Sequence, residues 1–411
     1  MARHIVIVGG GAAGALTAIH LARQARDHTE ITIVEPRERL GEGVAYGTRD
    51  TSHLLNVPAA GMSAFDDAPS DFATWSGAAA DDFVPRHRYA EYLRHVLTVS
   101  MASQSHVVVS HRQSRVVKVH VAPLCVVAAD STTLTPDAVV LALGNAPPVQ
   151  PEWVQHVSAM SVICDPWVDG ALDTVGEGTR VLCVGTGLTF VDVALSLVRR
   201  GVHVTGISRH GLLPTVHAPI GSIPGPPDAF TSVVDVSRWI RSQVDWRAAF
   251  AALRPVTQRL WRTFDARQQG QFLRHARRHW DVHRHRMSAS VAEQFEQHRR
   301  SGHIVVKRGD AKTLADTGSF DTIILCTGPD DSTLLTAAPL AALAAAGVVA
   351  AGPHGMGIAT DADTGQVCDQ QGRLIDGMFA IGPLRRGSLW ESTAIPEIRS
   401  EAQRLAALLL A

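Results

Sequence analysis

The stretch Arg3-His4-Ile5-Val6-Ile7-Val8-Gly9-Gly10-Gly11-Ala12-Ala13-Gly14, continuing through Ala15-Leu16-Thr17-Ala18-Ile19-His20-Leu21-Ala22, decides the reading of the chain. An apolar run predicts a buried strand, a glycine turn follows, and Leu16, Ile19 and Leu21 mark the apolar side of a helix. The turn reads G-x-G-x-x-G at Gly9, Gly11 and Gly14. The first glycine permits a tight turn, the second lets backbone approach a pyrophosphate, and the third lets helix and strand pack closely. The free N–H groups at the helix start, around Ala12 and Ala13, are then offered to phosphate oxygens. A second strand, Ile31-Thr32-Ile33-Val34, ends in Glu35 and Pro36, with the acid 21 residues beyond Gly14. That carboxylate is placed to accept hydrogen bonds from ribose hydroxyls. A glycine triplet alone is a weak signal, but strand, turn, helix, strand and acid in one register predict a dinucleotide site.

Working outward, 411 residues suffice for two domains, each with a sizeable core. A hydrophobic fraction of 45% and a charged fraction of 19% are ordinary for a globular chain. A formal net charge of −1 gives no argument for nucleic acid or an anionic membrane as partner. No apolar stretch reaches the roughly 20 residues needed to span a bilayer, and Ile5 to Val8 is too short for a signal peptide core. Cys125, Cys164, Cys183, Cys326 and Cys368 are scattered without a C-x-x-C, which fits single thiols in a reducing compartment and a cytoplasmic location. The same spacing argues against a dithiol–disulfide reductase.

After Glu35 comes a glycine-punctuated loop, Gly41 to Thr48 with Tyr46, then His53-Leu54-Leu55-Asn56-Val57-Pro58-Ala59. Asn56 among apolar neighbours suits either an Asx turn or a side chain facing a cofactor ring. Phe83-Val84-Pro85-Arg86 opens a helix carrying Tyr89, Tyr92, Leu93 and Leu97. Arg86 at its start is either a solvated cation or a contact for an anionic substrate. Short strands near Val107–Val109 and Val116–Val119 precede Ala138 to Leu143, a strand that stops at Gly144 before Pro147-Pro148.

The opening pattern then recurs. Arg180 to Val184, Gly185-Thr186-Gly187-Leu188 and the following residues read strand, turn and helix, and Val202 to Ile207 reads as the next strand. Phe190 stands where the third glycine belongs, and the second strand ends in Ser208-Arg209 instead of an acid. An arginine there can pair with the 2′-phosphate of NADP, so this site leans to NADPH. The expected fold class is α/β, with two Rossmann-like dinucleotide-binding domains, the second inserted in the first. Residues 1–150 with 331–411 would form one domain and 151–330 the other, with a helical insertion at about 225–302.

The insertion holds Trp239, Trp246, Trp261 and Trp280, which read as its core. His275, His279 and His283 recur every four residues, so a continuous helix would place them on one face. No nearby cysteine or paired carboxylate completes a metal site, so none is expected. A solvated basic face accounts for this segment, with Arg284 and Arg286 as the alternative candidates for anchoring phosphate or an anionic substrate. Toward the end, Gly377 to Pro383 reads as a short strand before a helix from about Ile395 to Leu410. Pro396 suits that helix's first turn, and Ser392 or Thr393 suits its cap.

Residues 5–14 with Glu35, the segments 43–48 and 53–59, the Gly185-Thr186-Gly187 turn, and Gly382-Pro383 with Leu389 to Thr393 together resemble the FAD/NAD(P)-binding, flavin monooxygenase-like oxidoreductases. The resemblance runs over nearly the whole chain. It implies FAD and NADPH as cofactors, O₂ and a small polar nitrogen-containing molecule (amino acid, amine or purine) as substrates, and oxygen transfer through a flavin C4a-hydroperoxide. It implies that Gly9, Gly11, Ala12, Ala13, Gly14, Glu35 and Pro36 hold the ADP half of FAD, with Tyr46, Leu55, Asn56 and Gly144 as further cofactor contacts. Gly382, Pro383, Ser392 and Thr393 would serve the flavin end. Gly185, Gly187, Leu188, Ser208 and Arg209 would hold NADPH. Many flavoproteins carry an aspartate where this chain has Pro383. Two other function classes stay open: a reductase passing electrons to a partner, and a flavin-binding scaffold that does not turn over. No catalytic acid or base and no oligomeric state is legible.

Overall fold

Strand β1 (Arg3–Val8) is buried over its last four residues, and its near-continuous apolar run suits a parallel strand covered on both faces. The computed structural model describes residues 3–157, 160–227 and 230–411, so residues 228–229 of the expected insertion lie outside the described residues. The chain divides into two units, one of residues 1–51, 57–146 and 331–411, the other of 52–56 and 147–330. The short segment Ser52–Asn56 therefore belongs with the second unit, although the surrounding sequence belongs to the first.

In the first unit β1 is followed by β2 (Thr29–Val34), β3 (Val107–Arg112), β4 (Val116–Val121), β5 (Leu124–Ala128), β6 (Thr133–Leu134) and β7 (Ala138–Leu141). In the second come β8 (Ser161–Ile163), β9 (Arg180–Val184), β10 (His203–Ser208), β11 (Ile304–Arg308) and β12 (Thr322–Leu325). The chain then returns to the first unit with β13 (Gln366–Cys368) and β14 (Leu374–Ala380). The first sheet runs β13-β14-β7-β1-β2-β3 and is parallel except at β13. The second runs β11-β10-β9-β12-β8 and is wholly parallel. Read from β3 and from β11, the first four parallel strands of each sheet follow the same chain order, and the fifth differs, being the late strand β14 in the first and the early strand β8 in the second. Each unit is thus a Rossmann-like α/β layer structure, and β4, β5 and β6 form a separate antiparallel sheet in the first.

Helix Ala12–Gln24 packs against helix Ile395–Leu410 and helix Arg86–Ala102. Two expectations change here. The cap of the last helix is Ala394, with no side-chain hydrogen bond, so neither Ser392 nor Thr393 caps it. The glycine-rich loop after Glu35 contains one helical turn, Gly43–Tyr46.

The insertion in the second unit is a run of short helices at 233–242, 246–253, 257–263, 266–271, 277–284 and 289–300. Four of them start at side-chain caps, Ser232, Asp245, Asp265 and Ser288. A π turn at Phe272–Ala276 interrupts the expected continuous helix, so His275 falls out of the register of His279 and His283. Leu253 and Leu260 are core, with Trp239 and Trp280 packed around them. Trp246 instead lies under the guanidinium of Arg247, 4.3 Å from ring centre to Cζ.

The helix after β9 shows how the second fingerprint tolerates Phe190. Its ring is fully buried and packs edge-on against Phe295. A Cβ on Gly206, in β10, would collide with that ring. The small residue needed for close packing has moved from the helix to the neighbouring strand. Phe190→Ala should therefore leave a cavity and cost about 3–5 kcal/mol. A lowered urea midpoint for the Phe190→Ala protein is the check.

Candidate functional site

The two glycine turns are near copies. Gly9 and Gly185 have φ of 105° and 110°, backbone that favours glycine. A Cβ at Gly9 would fall on the carbonyl of Ala142, and one at Gly185 on the carbonyl of Cys326. Gly9 N–H donates to Val34 O at 2.9 Å and Gly185 N–H to Ile207 O at 2.8 Å. In each unit the strand that leads into the turn and its two neighbours thereby fix the start of the turn. A Cβ at Gly11 would meet only Gly43, at 3.5 Å, and one at Gly187 would meet nothing within 4 Å. Open space at the second glycine, beside the first N–H groups of a helix, is the shape a pyrophosphate requires. Gly14 differs from both, because a Cβ there would strike the carbonyl of Gly9.

Glu35 ends β2 as expected and is buried. Its Oε2 accepts the Gly10 N–H at 2.9 Å and its Oε1 accepts the Arg37 N–H at 3.1 Å. Oε1 also accepts from Arg37 Nη1 at 3.4 Å, so it is Oε2 that keeps a further lone pair for another donor. Pro36 follows at the surface, and the Tyr46 ring packs tilted against that of Tyr89, centres 4.8 Å apart, its phenol pushed up by burial. Arg86 starts its helix, half-buried. Gly144 follows β7 with open space where a Cβ would lie.

Gly382 closes on the same turn. A Cβ there would lie 3.4 Å from that of Ala13 and 3.8 Å from Ser392 O. Ser392 is buried and its Oγ has no partner, while Thr393 is half-buried beside it. A buried hydroxyl left without a partner suits a ligand that supplies one. Pro383 is the second residue of the short turn Gly382–Arg385. Glu401, in the last helix, accepts the Gly382 N–H at 3.2 Å and pairs with Arg385, both carboxylate and guanidinium being buried. Arg385 also donates to Asp361 O at 2.9 Å and Ala362 O at 2.8 Å. Burial raises the Glu401 pKa, with Arg385 opposing. Sequence reasoning missed this pair, because residues 385 and 401 carry no motif spacing.

In the second unit Leu55 is buried and Asn56 accepts, at its carbonyl, from His217 Nε2 at 3.1 Å. The two residues therefore sit with the second sheet's unit and not with the Gly9 turn. Leu188 opens the helix after Gly187. Ser208 is engaged within the protein: Thr186 Oγ1 lies 2.8 Å from its Oγ, which also accepts the Gly211 N–H at 3.0 Å. Thr186, unremarked in the sequence, also donates to Leu212 O at 2.6 Å and so ties the turn to the chain after β10. Arg209 is exposed at the end of β10. The adjacent His210 is held below its usual pKa by desolvation and then by Arg278, Arg209 and Arg308. Three guanidinium groups therefore gather at this sheet end, two of them, Arg278 and Arg308, beyond the reach of motif reading. Arg286 departs from the solvated face expected for its segment, being only 7% exposed.

Cys183 and Cys326, far apart in sequence, meet beneath the Gly185 turn, where their mutual hydrogen bond and burial raise the Cys326 thiol. A buried, protonated thiol is a poor nucleophile. Among the described residues no group of three or more His, Cys, Asp or Glu is placed to hold a metal, and no described helix is long and apolar enough to cross a membrane.

The fold and the paired turns define a protein built on two dinucleotide-binding units. Residues 6–146 match the FAD-NAD(P)-binding family model, which assigns FAD/NAD(P) binding to the part of the chain that contains the Gly9 turn. The fold is that of FAD-dependent oxidoreductases. L-lysine 6-monooxygenase from Pseudomonas syringae is similar at TM-score 0.64 and 16% identity, over 100% of this chain and 99% of that one. Ornithine hydroxylase from Pseudomonas aeruginosa is similar at TM-score 0.59 and 14% identity, over 100% and 99%. A bacillithiol disulfide reductase from Bacillus cereus is similar at TM-score 0.55 and 14% identity, also over 100% and 99%. No curated protein matches the chain.

Two measurements follow from this geometry. Glu401→Met strands a buried guanidinium that has no way to shed its proton, and should lower stability by about 3–5 kcal/mol. Arg385→Met should cost less, because the carboxyl left behind can take up a proton; chemical denaturation of both variants compares them. His217 is depressed to about 4, first by burial and then by the charge of Arg286. The unfolded chain binds a proton near the ordinary 6.5 and the folded chain near 4, so this imidazole favours folding fully above 6.5 and loses that contribution as pH falls toward 4. The His217→Asn protein should show a flatter fall in Tm across that window.

Proposed function

We propose that the chain is an FAD- and NADPH-dependent monooxygenase that hydroxylates a small polar nitrogen-containing molecule, such as an amino acid, amine or purine. The observation that carries this reading is the repeated turn with opposite electrical endings. One turn has Glu35 at the end of its second strand, the other Arg209 backed by Arg308 and Arg278. An acid there accepts from free ribose hydroxyls, as in FAD. A cation there suits the extra phosphate of NADPH, which an acid would repel.

The residues present fit both groups. Gly9, Gly11 and Gly14 with the helix start at Ala12 and Ala13 would receive the FAD pyrophosphate, and the spare lone pair of Glu35 Oε2 the ribose. Gly382, Pro383 and the unpartnered Ser392 hydroxyl, with Thr393 next to it, would face the flavin end. Gly185, Gly187 and Leu188 would receive the NADPH pyrophosphate. Flavin, once reduced by NADPH, supplies the O₂ chemistry, so the protein needs neither metal nor triad. Its own residues bind, orient and exclude water. The Glu401–Arg385 pair fixes the Gly382 N–H, and Thr186 fixes the Gly185 turn against β10. Tyr46, Gly144 and Arg86 belong with the first cofactor unit, and Leu55 and Asn56 with the second.

The lysine and ornithine hydroxylases of like fold support an amino-group substrate, and the buried state of Cys183 and Cys326 weighs against the disulfide chemistry of the bacillithiol enzyme. Five free cysteines suit the cytoplasm.

The purified protein should be yellow, and a panel of amino acids, polyamines and purines should contain a compound that accelerates NADPH oxidation and gains one oxygen by mass. Oxidation that responds only to an added protein acceptor would replace this reading with an electron-transfer reductase. Arg209→Ala should weaken NADPH about tenfold to a hundredfold, the worth of a charged hydrogen bond, with little change for NADH. A colourless protein that refuses added FAD would overturn the proposal.

A further inference from the structure

Arg286 follows the 277–284 helix at a place where the chain is zippered to residues 215–217. Thr215 N–H donates to Val282 O at 2.8 Å, Met287 N–H to Thr215 O at 3.0 Å, and His217 N–H to Met287 O at 2.9 Å. This pairing holds Arg286 in place at 7% exposure, yet its Nε and Nη1 are buried without a hydrogen-bond partner. Its guanidinium lies 6.0 Å from the centre of the Trp246 ring, which also carries Arg247.

The charges around it make the omission conspicuous. Arg284, Arg247 and Arg254 act on Arg286 with the same sign, and Asp245 is the acid that acts on it most strongly. Asp245 is occupied as a helix cap, accepting from Arg247 N–H at 2.8 Å and Gly221 N–H at 2.9 Å. Arg247 turns Nε and Nη2 toward Val216 O, each at 3.3 Å. Burial, and then Arg284 and Arg247, lower Arg286 to about 10. His217, beside it, is neutral through the same burial and cationic surroundings. A guanidinium taken out of water without an anion is strongly unfavourable. Folding here keeps a cation, two unused donors and an aromatic wall together, which is the chemistry of an oxyanion receptor.

We propose that Arg286, walled by Trp246 and Arg247, binds the carboxylate of the substrate, so that the substrate is a small organic acid carrying the nitrogen to be oxidised. The word substrate rests on the monooxygenase reading; the oxyanion site does not. The phosphate of the dinucleotide is a separate matter. The arginines acting most strongly on His210 are Arg278, Arg209 and Arg308, whereas those acting most strongly on Arg286 are Arg284, Arg247 and Arg254.

The test titrates succinate, its neutral dimethyl ester, inorganic phosphate and 2′,5′-ADP into the FAD-loaded protein, read by calorimetry and by tryptophan fluorescence. Succinate should bind and the ester should not. Arg286→Met should weaken succinate at least tenfold, Arg286→Lys should fall between, and 2′,5′-ADP should bind all three proteins alike. The ligand-free Arg286→Met protein should melt no lower than the wild type, since a buried uncompensated charge has been removed. Equal binding of succinate and its ester, unchanged succinate affinity in Arg286→Met, or loss of 2′,5′-ADP in its place would overturn the site. So would binding of phosphate alone. Should Arg286→Met fail to fold, Arg286→Lys decides alone, and succinate binding as tight as wild type refutes the proposal. A wild type that binds succinate through Arg286 yet never oxidises NADPH would sink the enzymatic reading and leave the oxyanion site standing.

Discussion

The structure depends on two carbonyls that come too close for a side chain. At Gly9 the backbone of Ala142 occupies the space of a Cβ, and at Gly185 that of Cys326 does so. Neighbouring strands can approach only because the first residue of each turn has no side chain and takes a positive φ. From that approach follow the direction of each helix start, the space left open at Gly11 and Gly187, and the position of each second-strand end.

What differs between the two units is charge and packing. In the first, the last glycine of the turn lets the helix settle onto Gly9, and a buried acid at the end of β2 is held by two backbone N–H groups. In the second, a phenylalanine takes the place of that glycine and its ring is accommodated by Gly206 across the layer. Packing depends on the sum of facing volumes and not on which element donates the space. A fingerprint read along one segment registers a missing glycine, whereas the folded unit shows it displaced.

Buried charge is handled in two contrasting ways. Arg385 has Glu401 and two carbonyls, so its desolvation is offset on the spot and the Gly382 backbone is held as a result. At Arg286, Nε and Nη1 are buried without a partner, and the acid acting on it, Asp245, is engaged as a helix cap. A chain that gives one internal guanidinium a buried carboxylate, with only its Nε unpartnered, and leaves Nε and Nη1 of another bare has kept the second for something that arrives from outside.

The sequence by itself determined the local features: the two strand–turn–helix segments, Glu35 and Arg209 at their second-strand ends, and the helix from Ile395. These are legible because hydrophobic periodicity and glycine spacing act over a few residues. Only the tertiary structure decided the pairing of Arg385 with Glu401, the meeting of Cys183 with Cys326, the transfer of Ser52–Asn56 to the second unit, and the burial of Arg286. The segment around Arg286 looked like a solvated basic face because its composition is charged. A π turn and a pairing with residues 215–217, some 70 positions earlier, turned one of those charges inward. Long-range contacts leave no fixed spacing along a chain, since many loop lengths close the same junction at nearly equal entropic cost.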